Sequence, residues 1–392
     1  MTILTVLQKR TGPILGRHPW VFSGALKNIP DGLTSGTPVE LVDEAGNYLA
    51  SGYFNSYSQI AVRLWGFEPG EEVNEDFFKK RIKQAFAIRE NYLASKETDS
   101  YRLVYGENDF LPGLIVDKYA EYLSIQFHNP GIESWKKEIV AALNTVVKPK
   151  GIYERSDVKV RGLEGAEKQV GLLSGKVPER VLIKENGYKL YVDIIGGQKT
   201  GFFLDQRDKR AALQKYVKGK SVLNCFSYTG GFSVYALGGG AEKVVSVDSS
   251  EAALLLAEEN MKLNKLSAKK CEFILADVKV YLADQVPGSY DIIILDPPAF
   301  VKDRHKVEEG LRGYKRINAA ALTILPKSGI LVSASCSAHV SLEQFRYTLS
   351  EAALQAKRSV QILETYTHGI DHPEAISFME GEYLKCLFSI VS

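Results

Sequence analysis

From about residue 196 onward, short apolar runs alternate with helical periodicity, and that alternation constrains the fold more than any other feature. Ser221-Val-Leu-Asn-Cys225, Lys243-Val-Val-Ser-Val-Asp248, Glu272-Phe-Ile-Leu275, Asp291-Ile-Ile-Ile-Leu-Asp296 and Gly329-Ile-Leu-Val-Ser-Ala334 read as strands. A helix through residues 252–263 and further helical stretches lie between them. Strands alternating with helices build a parallel sheet covered on both faces, a doubly wound α/β domain.

Such a sheet binds ligands at the carboxyl ends of its strands. Here the first strand opens into Asn224-Cys-Phe-Ser-Tyr-Thr-Gly-Gly231, the second ends at Asp248, the third at Ala276-Asp277 and the fourth at Asp296-Pro-Pro298. Polar or glycine residues after successive apolar strands outline a nucleoside-shaped crevice. The first loop lacks the Gly-x-Gly-x-x-Gly pattern that brings a pyrophosphate onto a helix N-terminus, which disfavours a dinucleotide and a dehydrogenase. Asp248 lies 17 residues after Gly231 (248 − 231), about where an acidic residue takes ribose hydroxyls. S-adenosylmethionine carries a ribose and no phosphate, so it suits this pattern. Alone, Gly230-Gly231 is equally a tight turn and Asp248 a helix cap; two further features shift the balance.

The first is Asp296-Pro-Pro-Ala-Phe300. Consecutive prolines hold the chain extended and remove two backbone donors, leaving carbonyls to accept from an exocyclic amine, with Asp296 placed to bind a ring nitrogen. The bland alternative is a strand-ending turn. The second is Cys336 in Ser333-Ala-Ser-Cys-Ser337, after another apolar strand and so at the same sheet edge. A thiol is nucleophilic only as thiolate, and a single cysteine is often just a small buried hydrophobe; both readings stay open. Cys225, Cys271 and Cys386 sit in apolar strand context and read as core. Lys302, Arg304, His305, Lys306, Arg312, Lys315 and Arg316 follow the prolines, broken by Glu308 and Glu309. They read either as a solvated helix face or as phosphate contacts beside a base-binding site. Phe202 and Phe203 are candidates for stacking on a base and equally for core.

The first half of the chain has a different grammar. Residues 1 to about 68 hold short strands with turns, such as Val39-Glu-Leu-Val-Asp43 and Tyr48–Phe54 around Glu44-Ala-Gly-Asn47, and suggest a small β-barrel or sandwich. Gly66–Glu72 reads as a linker. Phe77, Phe78, Ile82, Ala85, Phe86 and Ile88 recur at helical spacing, and strand-like and helical pieces then mix as a small α+β unit. The expected domains are 1–68, 74–190 and 196–392. Net charge is only +2, so a nucleic-acid partner must be argued from local features. The four cysteines lack metal-ligand spacing, so no metal site is expected, and sparse thiols fit a reducing cytoplasm. The start has no secretory pattern, and no apolar run approaches the ~20 residues that span a bilayer. A cytoplasmic protein without a membrane partner is expected; a homodimer is left open.

Lys199-Thr-Gly-Phe-Phe-Leu-Asp-Gln-Arg207, Asn224–Phe232, Asp296-Pro-Pro-Ala-Phe300, Arg312-Gly-Tyr-Lys315 and Ser335-Cys-Ser337, in this order, resemble the bacterial large-subunit ribosomal RNA cytosine-5 methyltransferases. Arg17-His-Pro-Trp-Val-Phe-Ser-Gly24 and Tyr153-Glu-Arg-Ser-Asp157 extend the resemblance over nearly the whole chain. It implies an N-terminal PUA domain for RNA binding, a central α+β domain and a C-terminal Rossmann-like class I methyltransferase domain. It implies ribosomal RNA of the large subunit as partner and S-adenosyl-L-methionine as cofactor. The implied pocket is Gln206, Asn224, Phe226, Ser227, Gly230, Asp248, Ser249, Asp277, Val278 and Asp296, with Asp248 on the ribose and Asp277 near the adenine amine. Lys302, Arg304, Arg312 and Lys315 would meet RNA. Cys336 would add to carbon 6 of a cytosine, activating carbon 5, while Asp296 binds the ring nitrogen; covalent activation divides one hard substitution into easier steps. Better-known RNA cytosine-5 enzymes carry a second cysteine after the prolines, where this chain has Ala299 and Phe300. The alternatives are exocyclic-amine methylation without a covalent step, and an inactive RNA-binding module.

Overall fold

A computed structural model describes residues 2–392 and divides into two compact units. The first runs to Ile183 and adds Val192–Leu204 and Ile370–Gly381; the second comprises Lys184–Tyr191, Asp205–Gly369 and Glu382–Ser392.

The first unit opens with β1 (Thr2–Thr5), a short α1 (Gly12–Leu15), β2 (Trp20–Phe22), β3 (Pro38–Val42), β4 (Tyr48–Phe54) and β5 (Ile60–Gly66). They form one sheet in the order β1-β3-β4-β5-β2. The β3–β4 turn follows from Asp43, whose Oδ1 accepts from the backbone of Ala45 (2.9 Å) and Asn47 (2.8 Å), mimicking a backbone turn. Next comes α2 (Glu75–Tyr92), started by Asn74, whose side chain accepts from the Asp76 and Phe77 amides at 3.0 Å each. Then follow β6 (Tyr101–Tyr105), β7 (Leu114–Tyr119), β8 (Tyr122–Phe127), α3 (Pro130–Glu133), α4 (Lys136–Val146), β9 (Gly151–Ser156), α5 (Val160–Leu163) and β10 (Gln169–Gly175). This second sheet has the order β10-β9-β8-β7-β6, with β8 and β9 parallel because α4 carries the crossover between them.

The first sheet has a core of its own, with Leu4, Val39, Leu41, Ala50, Val62 and Leu64, and a second core joins Tyr53 and Trp65 to Phe77, Phe78, Ile82, Val104, Val116, Ile125 and Leu143. The Tyr53 ring lies so close to Gly131 that a Cβ there would meet it at 1.9 Å. The unit also buries Arg89, which donates to both Asp109 oxygens at 2.7 Å and to the Asp371 carbonyl at 2.8 Å. That bond ties the Ile370–Gly381 strap to α2.

The second unit takes in the turn of a hairpin, β11 (Val181–Glu185) and β12 (Tyr188–Val192). Asn186 and Gly187 turn it with φ of 48° and 83°, the positive pair that tight hairpins require. Then come α6 (Arg207–Leu213), β13 (Ser221–Cys225), α7 (Gly231–Gly238), β14 (Lys243–Asp248), α8 (Glu251–Leu263), β15 (Cys271–Leu275), α9 (Val278–Ala283), β16 (Ile292–Leu295), α10 (Val307–Ile324), β17 (Ile330–Ser335), α11 (Leu342–Ala356), β18 (Val360–Tyr366) and β19 (Lys385–Val391). The seven-stranded sheet has the order β15-β14-β13-β16-β17-β19-β18. The strands from β13 to β17 are mutually parallel, and β19 inserts antiparallel between β17 and β18. No described helix is long and apolar enough to cross a membrane.

Asp109→Ala should lower stability by about 3–5 kcal/mol, because it strands a buried guanidinium. Thermal unfolding should show it, and a paired Arg89→Met/Asp109→Leu variant should recover most of the loss.

Candidate cofactor and catalytic site

The sheet order reverses at β13, which pairs with β14 on one side and β16 on the other. Loops leaving neighbouring strands in opposite directions open a crevice at their carboxyl ends. Asn224, Asp248 and Asp296 all stand at that edge.

The loop after β13 is strained. Phe226 (φ 58°) and Tyr228 (φ 47°) adopt left-handed conformations, as does Gly230 (φ 77°). For non-glycine residues this costs about 1–2 kcal/mol each, so the surroundings must impose it. They do so through hydrogen bonds: the Ser227 amide donates to the Val247 carbonyl (3.0 Å), the Gly230 amide to the Ser227 carbonyl (2.9 Å), and the Tyr228 amide to Asp248 Oδ2 (2.8 Å). At Gly230 a Cβ would stand 2.8 Å from that of Ala257 on α8. Glycine is therefore required there for both conformation and space.

Asp248 is half-buried. Its other oxygen accepts from the Ser250 amide at 2.9 Å, and Ser250, not Asp248, caps α8. A carboxylate holding one amide per oxygen retains lone pairs for further donors. Ser249 is exposed beside it. At the next strand end, the Ala276 amide donates to the Asp248 carbonyl (3.1 Å). Asp277 follows, exposed, with Oδ1 capping α9 through Lys279 (2.7 Å) and Val280 (3.3 Å), and Val278 is buried.

Gln206 reaches the crevice from the short turn before α6; its Nε2 donates to Asp296 Oδ1 at 2.9 Å. Asn224 Nδ2 donates to Ser233 Oγ (2.8 Å) on α7. Among the described residues, Gln206 Oε1, Asn224 Oδ1 and Ser227 Oγ are buried without a hydrogen-bond partner. A buried polar atom left unpaired costs about 1–3 kcal/mol. Three such atoms on residues of this strand edge fit a ligand bearing hydroxyl and amine donors, as S-adenosylmethionine does.

Cys336 directly follows β17 and is half-buried, with its Sγ 3.8 Å from the Pro297 carbonyl. Ser337 clips this corner together: its Oγ accepts from the Val301 amide (3.2 Å) and shares a hydrogen bond with the Tyr314 hydroxyl (2.9 Å). Gly310 and Gly313 explain why α10 can lie against that segment, since Cβ atoms there would meet Val301 at 2.2 Å and the Phe300 ring at 3.0 Å. Phe300 and Tyr314 pack with ring centroids 4.7 Å apart. Tyr314 and Ser337 stand in the quoted motifs without an assigned role, and the buried Lys385 is not singled out by sequence pattern alone.

Of the basic candidates, Lys302 and Arg304 are exposed between β16 and α10. Arg312 is exposed on α10, 3.9 Å from Glu308, and Lys315 is half-buried and paired with Glu351 at 3.4 Å. Phe202 belongs to the first unit, buried, its amide donating to the Tyr119 hydroxyl at 3.0 Å. Phe203 lies beneath the Lys199 amine, 4.5 Å from ring centre to nitrogen. Cys225 and Cys386 are fully buried, whereas Cys271 is half-buried.

Comparison with known proteins agrees with this architecture. Residues 161–377 match the S-adenosylmethionine-dependent methyltransferase family, and residues 4–67 match the PUA-like domain. The chain is 44% identical over 390 residues to ribosomal RNA large subunit methyltransferase I of Shigella boydii serotype 4, covering 98% of each chain. A SAM-dependent methyltransferase from Streptococcus mutans superposes with TM-score 0.85 at 27% identity, and a methyltransferase structure in complex with SAH does so with TM-score 0.86 at 27% identity; each covers 100% of both chains.

Gly230→Ala should weaken S-adenosylmethionine binding at least tenfold by calorimetry, because the new Cβ displaces the loop that holds Asp248. Unchanged affinity would show that the loop is not part of the pocket. The strand-edge crevice and the matched sequences lead to one assignment: the chain belongs to the S-adenosylmethionine-dependent methyltransferases, in the family of ribosomal RNA large subunit methyltransferase I.

Proposed function

We propose that this chain forms 5-methylcytosine in large-subunit ribosomal RNA through a covalent adduct on Cys336. The observation that carries this reading is the meeting of Cys336 with the Asp296-Pro-Pro turn, Sγ to Pro297 carbonyl at 3.8 Å. A nucleophile and a base-binding carboxylate then share one corner of one crevice. The name of the relatives, ribosomal RNA large subunit methyltransferase, supports the substrate class, and a PUA-like domain fits an RNA partner.

Gln206, Asn224, Phe226, Ser227, Gly230, Asp248, Ser249, Asp277, Val278 and Asp296 hold the cofactor in this reading. Asp248 takes the ribose hydroxyls with the lone pairs its two amide bonds leave, and Asp277 stands near the adenine amine. S-adenosylmethionine, when bound, supplies an electrophilic methyl group. The protein's part is to make carbon 5 of cytosine a nucleophile. The Cys336 thiolate forms a bond to carbon 6, the electrons of the 5,6 double bond become available at carbon 5, and Asp296 holds the ring nitrogen that takes up charge. After methylation a base takes the carbon-5 proton, the electrons of that bond re-form the 5,6 double bond, and the bond from sulfur to carbon 6 breaks with its electrons on the regenerated thiolate. The Gln206 amide on Asp296 fixes the carboxylate for this role. Lys302, Arg304, Arg312 and Lys315 meet RNA phosphates beside the site.

RNA containing 5-fluorocytosine should be trapped covalently on the wild-type protein, because fluorine at carbon 5 cannot leave as a proton does. Cys336→Ala should abolish trapping and methyl transfer together. Methyl transfer that survives this substitution would point instead to exocyclic-amine methylation, and failure of both reactions in the wild type would support an inactive binding module. Replacing Lys302, Arg304 or Arg312 by Ala should weaken RNA binding alike for different sequences. Each such replacement should reduce the slope of log affinity against log salt by about 1.

A further inference from the structure

The final strand carries a lysine in an otherwise apolar buried run. Lys385 opens β19, is 1% exposed, and is followed by the buried Cys386, Leu387 and Phe388. The antiparallel register sets it opposite Ser335, the residue before Cys336. Its amine donates to the carbonyl of Ser337, the residue after Cys336, and to that of Tyr383, both at 2.9 Å. Lys385 therefore meets the backbone on both sides of the cysteine. Lysines are almost never fully buried without an anionic partner, and burying an unpaired charge is costly. Two carbonyl dipoles offset part of that cost. Among the described residues no carboxylate forms an ion pair with this amine.

We propose that Lys385 is a positioning residue whose buried ammonium holds Cys336 as a thiolate, using the Ser335–Ser337 corner to place the two charges together. The inference rests on the covalent role of Cys336 proposed above. The thiol proton is released to solvent and Lys385 keeps its own, so the pair carries no net charge. Burial outweighs the upward pull of Glu382 and a Cys336 thiolate and leaves the Lys385 amine pushed down to about 8. The other charged and titratable groups of this corner have bonds of their own. Asp296 precedes Pro297 and opposes negative charge, and Tyr314 on α10 spends its hydroxyl on Ser337. His368 accepts from the Tyr383 and Leu384 amides at 3.3 and 3.2 Å. Lys209 on α6 donates to the Asp205 carbonyl, and Asp205 itself accepts from Tyr383.

Alkylation of Cys336 by iodoacetamide, followed on its own peptide by mass spectrometry across a pH series, reads the thiolate directly in the full chain without RNA or cofactor. The wild type should titrate below the ordinary thiol value of about 8.5. Lys385→Met, of similar length and uncharged, should raise the midpoint by about one unit or more, slowing alkylation at pH 7 about tenfold. Lys385→Arg should restore the wild-type profile. A folded Lys385→Met protein with the wild-type midpoint would leave the lysine a purely structural role and overturn the proposal. If that variant does not fold, the wild type decides alone: a midpoint at or above the ordinary thiol value overturns it. Trapping by 5-fluorocytosine separates the two readings. Intact trapping with an unshifted profile removes only the lysine's role, and a shifted profile without trapping sustains the ion pair while removing the cytosine chemistry.

Discussion

The reversal of strand order at β13 is the constraint on which the site depends. β13 pairs in parallel with β14 and with β16, so the chain leaves it first to one side and later returns on the other. The loops above these strands diverge, and the space between them is where a nucleoside fits. Val222, Leu223, Ile293 and Ile294 are fully buried beneath it and hold the edge rigid. Asp248, Asp296 and Cys336 then stand on strands or turns at successive positions along the same edge.

Rigidity at that edge carries strain that the rest of the unit balances. The left-handed Phe226 and Tyr228 are held by hydrogen bonds that the Ser227 and Tyr228 amides donate to Val247 and Asp248 on β14, so the same interactions that impose the loop's shape also aim the carboxylate. Close packing has a similar double effect at α10. Gly310 and Gly313 let Phe300 and Val301 lie against the helix, which brings Ser337 within reach of the Val301 amide and the Tyr314 hydroxyl beside Cys336. Position in the chain is thus converted into chemistry through backbone interactions more than through side-chain ion pairs.

The parallel strands are legible in the sequence because each is a short apolar run ending at a polar or glycine residue, and the sheet edge follows from those endings. Asn74 before an amphipathic run marks the start of α2 for the same local reason, and Asn186-Gly187 is an equally local signal for the β11–β12 turn. What local pattern does not encode is long-range pairing. β19 follows β18 in sequence yet inserts between β18 and β17, and that insertion sets Lys385 against Ser335 and Ser337. Grouping of residues 192–204 and 370–381 with the first unit depends on interactions such as that of Arg89 with Asp371, which no periodicity announces. A lysine among Leu384, Cys386, Leu387 and Phe388 is the available hint, since charge inside an apolar strand signals a partnered burial.

In the proposed function Cys336 drives methylation at carbon 5 of a cytosine in large-subunit ribosomal RNA. Mass mapping of modified nucleosides in that RNA, from cells lacking the gene and complemented with either wild type or Cys336→Ala, tests it most directly. A 5-methylcytidine should disappear on deletion and return with the wild type alone. An unchanged 5-methylcytidine content, the loss of a different methylated base, or full restoration by Cys336→Ala would contradict it.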